Sequence, residues 1–225
     1  MDKEKRLDVL MDEWEHCDRC GLSEWRGGQR VSFGRGNLNA DYMFILDGPT
    51  HADILDDVGP LDPETDMGAL FLELIKKSGI ALDNCFFTTL VGCAPLTFVP
   101  ATEETPEDLK ARGPKTEESK ACRPRIEELI YIVDPAVVIL CGENAYKDLL
   151  STSSRGTKNT ITKGYGHAFE LQVPGKVIEV RYLAYPIHSP EAADGDRTPT
   201  AEHRPVRSIL RNLSTIREYV KAIAA

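Results

Sequence analysis

Four short β-type runs constrain this chain more than anything else in it: Tyr42–Leu46 and Ala136–Cys141, both continuously apolar, Cys85–Val91, and Val177–Tyr185. A strand with one wet face alternates apolar and polar residues. Runs without that alternation predict strands covered on both faces, as in a parallel sheet. The segments between them repeat apolar residues at helical spacing. Residues 3–15 carry Leu7, Leu10, Met11 and Trp14, and 118–133 carry Ile126, Leu129, Ile130 and Val133. Met67–Ser78, Asn144 to about Leu150, and about Glu202–Ile223 read the same way. Strands alternating with helices predict an α/β fold, a three-layer α/β/α arrangement around a central, mostly parallel four-stranded sheet. A length of 225 residues suits one domain, 1–225, and the Pro-, Glu-, Thr- and Lys-rich stretch at about 95–120 reads as a surface insertion.

Charge narrows the function. Lys and Arg number 27 against 36 Asp and Glu, a formal net charge of −9. That balance argues against a protein that coats nucleic acid, because such binding rests on neutralising phosphates, but it leaves room for a local basic groove. The charged N-terminus lacks the apolar core of a signal peptide, and no window reaches the ~18 apolar residues of a membrane span. A soluble, intracellular, cytoplasmic protein with no membrane partner is expected. Neither a G-x-G-x-x-G fingerprint nor a P-loop is present.

In a reducing compartment the six cysteines are thiols or metal ligands rather than disulfides. Cys17-x-x-Cys20 follows the first helix, a spacing that lets two thiolates face one centre. A zinc ribbon would need a second such pair, and none exists. Cys85 and Cys141 lie inside apolar strand runs and read as small core residues. Cys93, after Gly92 at a strand end, and Cys122, in a polar Lys-Ala-Cys-Arg-Pro context, remain as a second pair. Four thiolates suit zinc or a [4Fe–4S] cluster, and spacing alone does not choose between them.

In parallel sheets ligands bind beyond the carboxyl ends of the strands. The polar residues there are Asp47, Thr88, Thr89, Glu143 and His188. Two of them have a plainer reading: Asp47 before Gly48-Pro49 as a turn former, and His188 as a satisfied structural histidine. His51, near Asp47, is an alternative acid–base group. His16, His167 and His203 read as structural. Arg197–Arg211 suits phosphate contacts, or simply a solvated helix face.

The order of these motifs resembles the iron–sulfur uracil-DNA glycosylases, the family 4 type with family 5 as a relative. That family's Gly-Glu-Ala-Pro-Gly falls on Asp47-Gly48-Pro49-Thr50, and its Gly-x-Pro-Phe loop on Gly59-Pro60-Leu61 ahead of Gly68-Ala69-Leu70-Phe71. Its Thr-Asn-x-x-Lys-Cys matches Thr88-Thr89-Leu90-Val91-Gly92-Cys93, and its Ala-Cys matches Ala121-Cys122. Its Leu-Gly-x-x-Ala matches Cys141-Gly142-Glu143-Asn144-Ala145, and its His-Pro-Ser loosely matches His188-Ser189-Pro190. The likeness runs from about residue 14 to 213.

The resemblance implies a [4Fe–4S] cluster on Cys17, Cys20, Cys93 and Cys122, with zinc as runner-up. It implies a monomer that takes a base flipped from single- or double-stranded DNA and hydrolyses the N-glycosidic bond of uracil or a modified pyrimidine. Asp47 would orient water and stabilise the cationic sugar, while His188 would donate to the developing base oxyanion. Gly48, Pro49, Thr50, Leu61 and Thr89 would line the base pocket. Here the pocket departs from the family. Thr89 replaces an amide that pairs with uracil, Leu61 replaces a stacking aromatic, Thr50 replaces a glycine, and Asp47 is one methylene shorter than Glu. These changes predict weaker uracil discrimination. They also open an alternative, a catalytically altered or inactive member that binds DNA or a partner protein without base excision.

Overall fold

In a computed structural model the chain is described at residues 2–25, 30–49, 53, 59–101, 108–150, 169–171, 182–187 and 204–225. The strands are β1 (Arg35–Gly36), β2 (Tyr42–Leu46), β3 (Cys85–Thr89), β4 (Leu96–Val99), β5 (Asp108–Ala111), β6 (Val137–Cys141), β7 (Phe169–Leu171) and β8 (Tyr182–Ile187). The helices are α1 (Lys3–Trp14), α2 (Asp66–Lys77), α3 (Thr116–Val133), α4 (Glu143–Leu150) and α5 (Arg204–Ala224).

The main sheet has the order β1-β3-β2-β6-β8-β7. Its inner four strands, β3-β2-β6-β8, are parallel, and the short β1 and β7 pair antiparallel at the two edges. The four β-type runs thus supply the four parallel strands. Of the fourth, Tyr182–Ile187 forms the strand and residues 177–181 lie outside the described residues. Every residue of β2, β3 and β6 is buried, which is why those runs carry no alternation.

Alternate residues of each strand feed two separate cores. Met43, Ile45, Phe86, Val138 and Leu140 pack with Leu10 and Trp14 of α1, Ile126, Leu129 and Ile130 of α3, and Leu149 of α4. Tyr42, Phe44, Phe87, Val137 and Ile139 pack on the other face with Phe71 and Ile75 of α2 and Ile209, Leu213 and Ile216 of α5. Three layers result. Phe44 stacks on Phe87 at 5.2 Å and meets Phe71 edge-on at 6.1 Å, fixing α2 against the sheet.

Stretch 95–120 is partly structured: β4 and β5 pair as an antiparallel two-stranded sheet, and α3 begins at Thr116. Arg112 ties this hairpin to α3 through two hydrogen bonds to Glu118, at 2.7 and 2.6 Å. Glu118 also accepts the Lys115 backbone N–H at 2.7 Å, closing the first turn of α3. Among the described residues no helix is long and apolar enough to cross a membrane.

Candidate active site

The connection after β2 runs through α2 on one face of the sheet, and the connection after β6 begins with α4 on the other. Adjacent strands whose chains leave in opposite directions open a crevice at their carboxyl ends. Asp47 follows β2 and Gly142 follows β6, so the crevice lies between them. The half-buried Asp47 carboxylate is held there by α4: Ala145 N–H donates to Oδ1 and Asn144 Nδ2 donates to Oδ2, both at 2.8 Å. Gly142 makes this possible. Its φ is 123°, and a Cβ at that position would overlap the carboxylate. Asp47 is thus the N-terminal cap of α4 and a rigidly aimed negative group at the mouth of the sheet.

A Cβ on Gly48 would press on Pro95 at 2.9 Å and Val91 at 3.2 Å, so backbone and loop meet directly. Pro49 is buried. Thr89 is fully buried and donates its hydroxyl proton to Val91 O at 2.7 Å, leaving only its lone pairs for any base. Thr88 likewise donates to Phe33 O at 3.0 Å. Leu61 is buried with φ +62°, a left-handed conformation that costs a branched side chain of order 1–3 kcal/mol. Arg35 holds it, donating Nε to Pro60 O at 2.8 Å and Nη2 to Leu61 O. The strain is fixed from the far side too: Thr65 donates to Asp62 O at 2.8 Å and caps α2, and a Cβ on Gly68 would strike that same carbonyl. Thr50, His51 and His188 lie outside the described residues, as do His167, His203 and residues 197–203. Arg207 and Arg211 are exposed on α5.

The cysteines divide by sheet face. Cys93 and Cys122 are buried in the α1–α3 core, and half-buried Cys17 and Cys20 pack against it. Cys85 and Cys141 sit in the opposite core. Cys85 donates to Ala81 O at 3.3 Å, and burial with nearby Asp83 pushes its thiol up to about 12, so it is inert. Burial also raises the Cys20 thiol. The Leu22 backbone N–H opposes the rise, while Cys122 and Cys17 reinforce it, so these sulfurs act on one another. Among the described residues no three His, Cys, Asp or Glu side chains form a group able to grip a metal ion.

Arg125 is the residue that sequence reading missed here. Fully buried, it donates Nη1 to Ser32 O at 2.8 Å and Nη2 to Thr89 O and Leu90 O, the latter at 3.3 Å. Its Nε has no hydrogen-bond partner. A soft donor set of thiols outside any disulfide, beside an unsatisfied N–H of a buried cation, fits a thiolate-bound centre in its chemistry.

The chain belongs to the uracil-DNA glycosylase superfamily: that family's profile, described as "Uracil DNA glycosylase superfamily", matches residues 33–214. Among individual relatives it is 28% identical to the type-4 uracil-DNA glycosylase of Thermotoga maritima, over 81% of this chain and 84% of that one. It is 25% identical to the type-4 uracil-DNA glycosylase of Sulfurisphaera tokodaii, over 83% and 75% of the two chains. For that of Pyrobaculum aerophilum the identity is 24%, over 80% and 82%.

Proposed function

We propose that this protein is a DNA glycosylase that hydrolyses the N-glycosidic bond of uracil or a modified pyrimidine in DNA. The observation that carries the reading is the Asp47 carboxylate, fixed by α4 in the crevice between β2 and β6 of a superfamily fold. Breaking this bond leaves an oxocarbenium-like sugar and an anionic base. A carboxylate already oriented needs no reorganisation to face that cation or to align a water. Leu61 would cover the flipped base with an aliphatic wall, and Thr89 would offer it an acceptor at the end of β3. His188 would serve the departing base.

Cys17, Cys20, Cys93 and Cys122 would hold a [4Fe–4S] cluster. The family resemblance carried by the four cysteine positions supports it over zinc, and the soft donor set suits either centre. The cluster's contribution is cross-linking, joining the segment after α1 to the loop after β3 and to α3.

The test is incubation of anaerobically purified protein with single- and double-stranded oligonucleotides carrying uracil, 5-hydroxymethyluracil or hypoxanthine, read as abasic sites. Excision of a pyrimidine lesion supports the reading. Tight DNA binding with no abasic product from any substrate favours the non-excising alternative. Iron analysis runs alongside: about four irons per chain are expected for a [4Fe–4S] site, lost in Cys122→Ser and kept in Cys85→Ser.

A further inference from the structure

A guanidinium shut away from water needs an anion, because an uncompensated buried charge costs several kcal/mol. Arg125 is fully buried, yet no carboxylate is among its hydrogen-bond partners; it spends Nη1 and Nη2 on three neutral carbonyls. Around the rest of it are the Phe33 ring, its centroid 5.8 Å from Cζ, and the field of three cysteines. Arg125 lies one helical turn after Cys122 on α3, and a Cβ on Gly92, the residue before Cys93, would stand 3.2 Å from its unpaired Nε. Cys122, Cys93 and Cys17 all act on the guanidinium electrostatically.

We propose that Arg125 is the buried counter-cation of the four-cysteine centre, and that it braces that centre to the base-reading end of β3. The proposal rests on the reading of the four cysteines as ligands and goes beyond it. Four thiolates around a doubly charged core leave a net charge of about −2, whether the core is iron–sulfur or zinc. That charge is what a trapped guanidinium lacks when the thiols are neutral. The same side chain then grips Ser32 O, Thr89 O and Leu90 O, so loading the centre fixes the backbone at candidate pocket residue Thr89. Arg125 touches neither base nor sugar and acts as a positioning residue.

The experiment compares wild type, Arg125→Lys and Arg125→Gln, purified anaerobically with iron quantified. Three readouts apply: the midpoint potential by protein-film voltammetry, the rate of bleaching near 400 nm in air, and the melting temperature before and after chelation. Removing the cation should make reduction harder, moving the Gln variant's potential to more negative values, and should speed cluster loss about 10–100-fold, the usual effect of losing a partner one shell beyond the ligands. Lys keeps the charge and should restore most of both. The Gln variant should lose more melting temperature with the centre loaded than after chelation, since the two partners are coupled. Equal losses in both forms, with an unmoved potential, would reduce Arg125 to a carbonyl brace and overturn the proposal. If the Gln variant does not fold, the Lys variant decides: a loaded Lys protein that bleaches about 10–100-fold faster than wild type overturns the charge argument. Wild-type protein that binds neither iron nor zinc defeats the ligand reading itself and removes the counter-cation role with it. Normal loading with three identical proteins defeats only this inference.

Discussion

Asp47 has two duties that a single substitution can separate. As a cap it accepts from Ala145 N–H and Asn144 Nδ2. As a catalytic group it would supply charge. Asn and Asp cap helices about equally well, so Asp47→Asn removes the charge and largely keeps the cap. Asp47→Ala removes both and should cost about 1 kcal/mol of stability. Excision by Asp47→Asn should fall about 100-fold or more with a nearly unchanged melting temperature. Single-turnover kinetics beside thermal melts check this, and an active Asp47→Asn protein would leave Asp47 as a cap alone. The position of Asp47 was legible in the sequence because a polar residue ends an apolar run and Gly48-Pro49 follows. Its partners were not. Asn144 reads as an ordinary helix opener, and Arg125, among the charged residues of α3, looks like part of a wet face until burial shows otherwise.

At the scale of elements, the parallel strands and the main helices follow from periodicity, since each needs only the contrast between buried and exposed positions. The edges do not. β1 and β7 are two and three residues long, too short for any period to register, and exist because β3 and β8 offer free edges. The β4–β5 hairpin hides in polar sequence because its pairing is backbone work: Thr97 and Phe98 are exposed. Its anchor, Arg112–Glu118, makes a pH prediction. Burial pushes the Glu118 carboxyl up, but the Arg112 hydrogen bonds and the Lys115 N–H outweigh it, leaving it below the ordinary 4.5. A depressed native value means the pair's stabilisation is complete above that ordinary value and drains away as pH falls through the native one. Acid melts should show this loss in wild type, whereas Glu118→Ala, weaker by about 3 kcal/mol at neutral pH, should have a flatter profile below pH 4.5.

For the whole molecule, the sheet is a partition. Side chains at successive strand positions face opposite cores, so Cys85 and Cys141 are committed to the α2–α5 side by register while Cys93 and Cys122 join the α1–α3 side. The sequence reading grouped Cys17, Cys20, Cys93 and Cys122 by context, and the structure lays these four on one face of the sheet. Those four thiols lie under one face and Asp47 at the strand ends, and Arg125 of α3 donates to Thr89 O.

That partition turns the six sulfurs into two clocks. In metal-free protein under a dilute alkylating reagent, Cys17 and Cys20 should react first, followed by Cys93 and Cys122 as the region around α1 breathes open. Cys85 and Cys141, sealed between the sheet and its other helices, should be modified only when the entire chain denatures. Mass spectrometry of the labelled peptides would read a partial excursion and complete collapse from one tube, with no probe added to the protein.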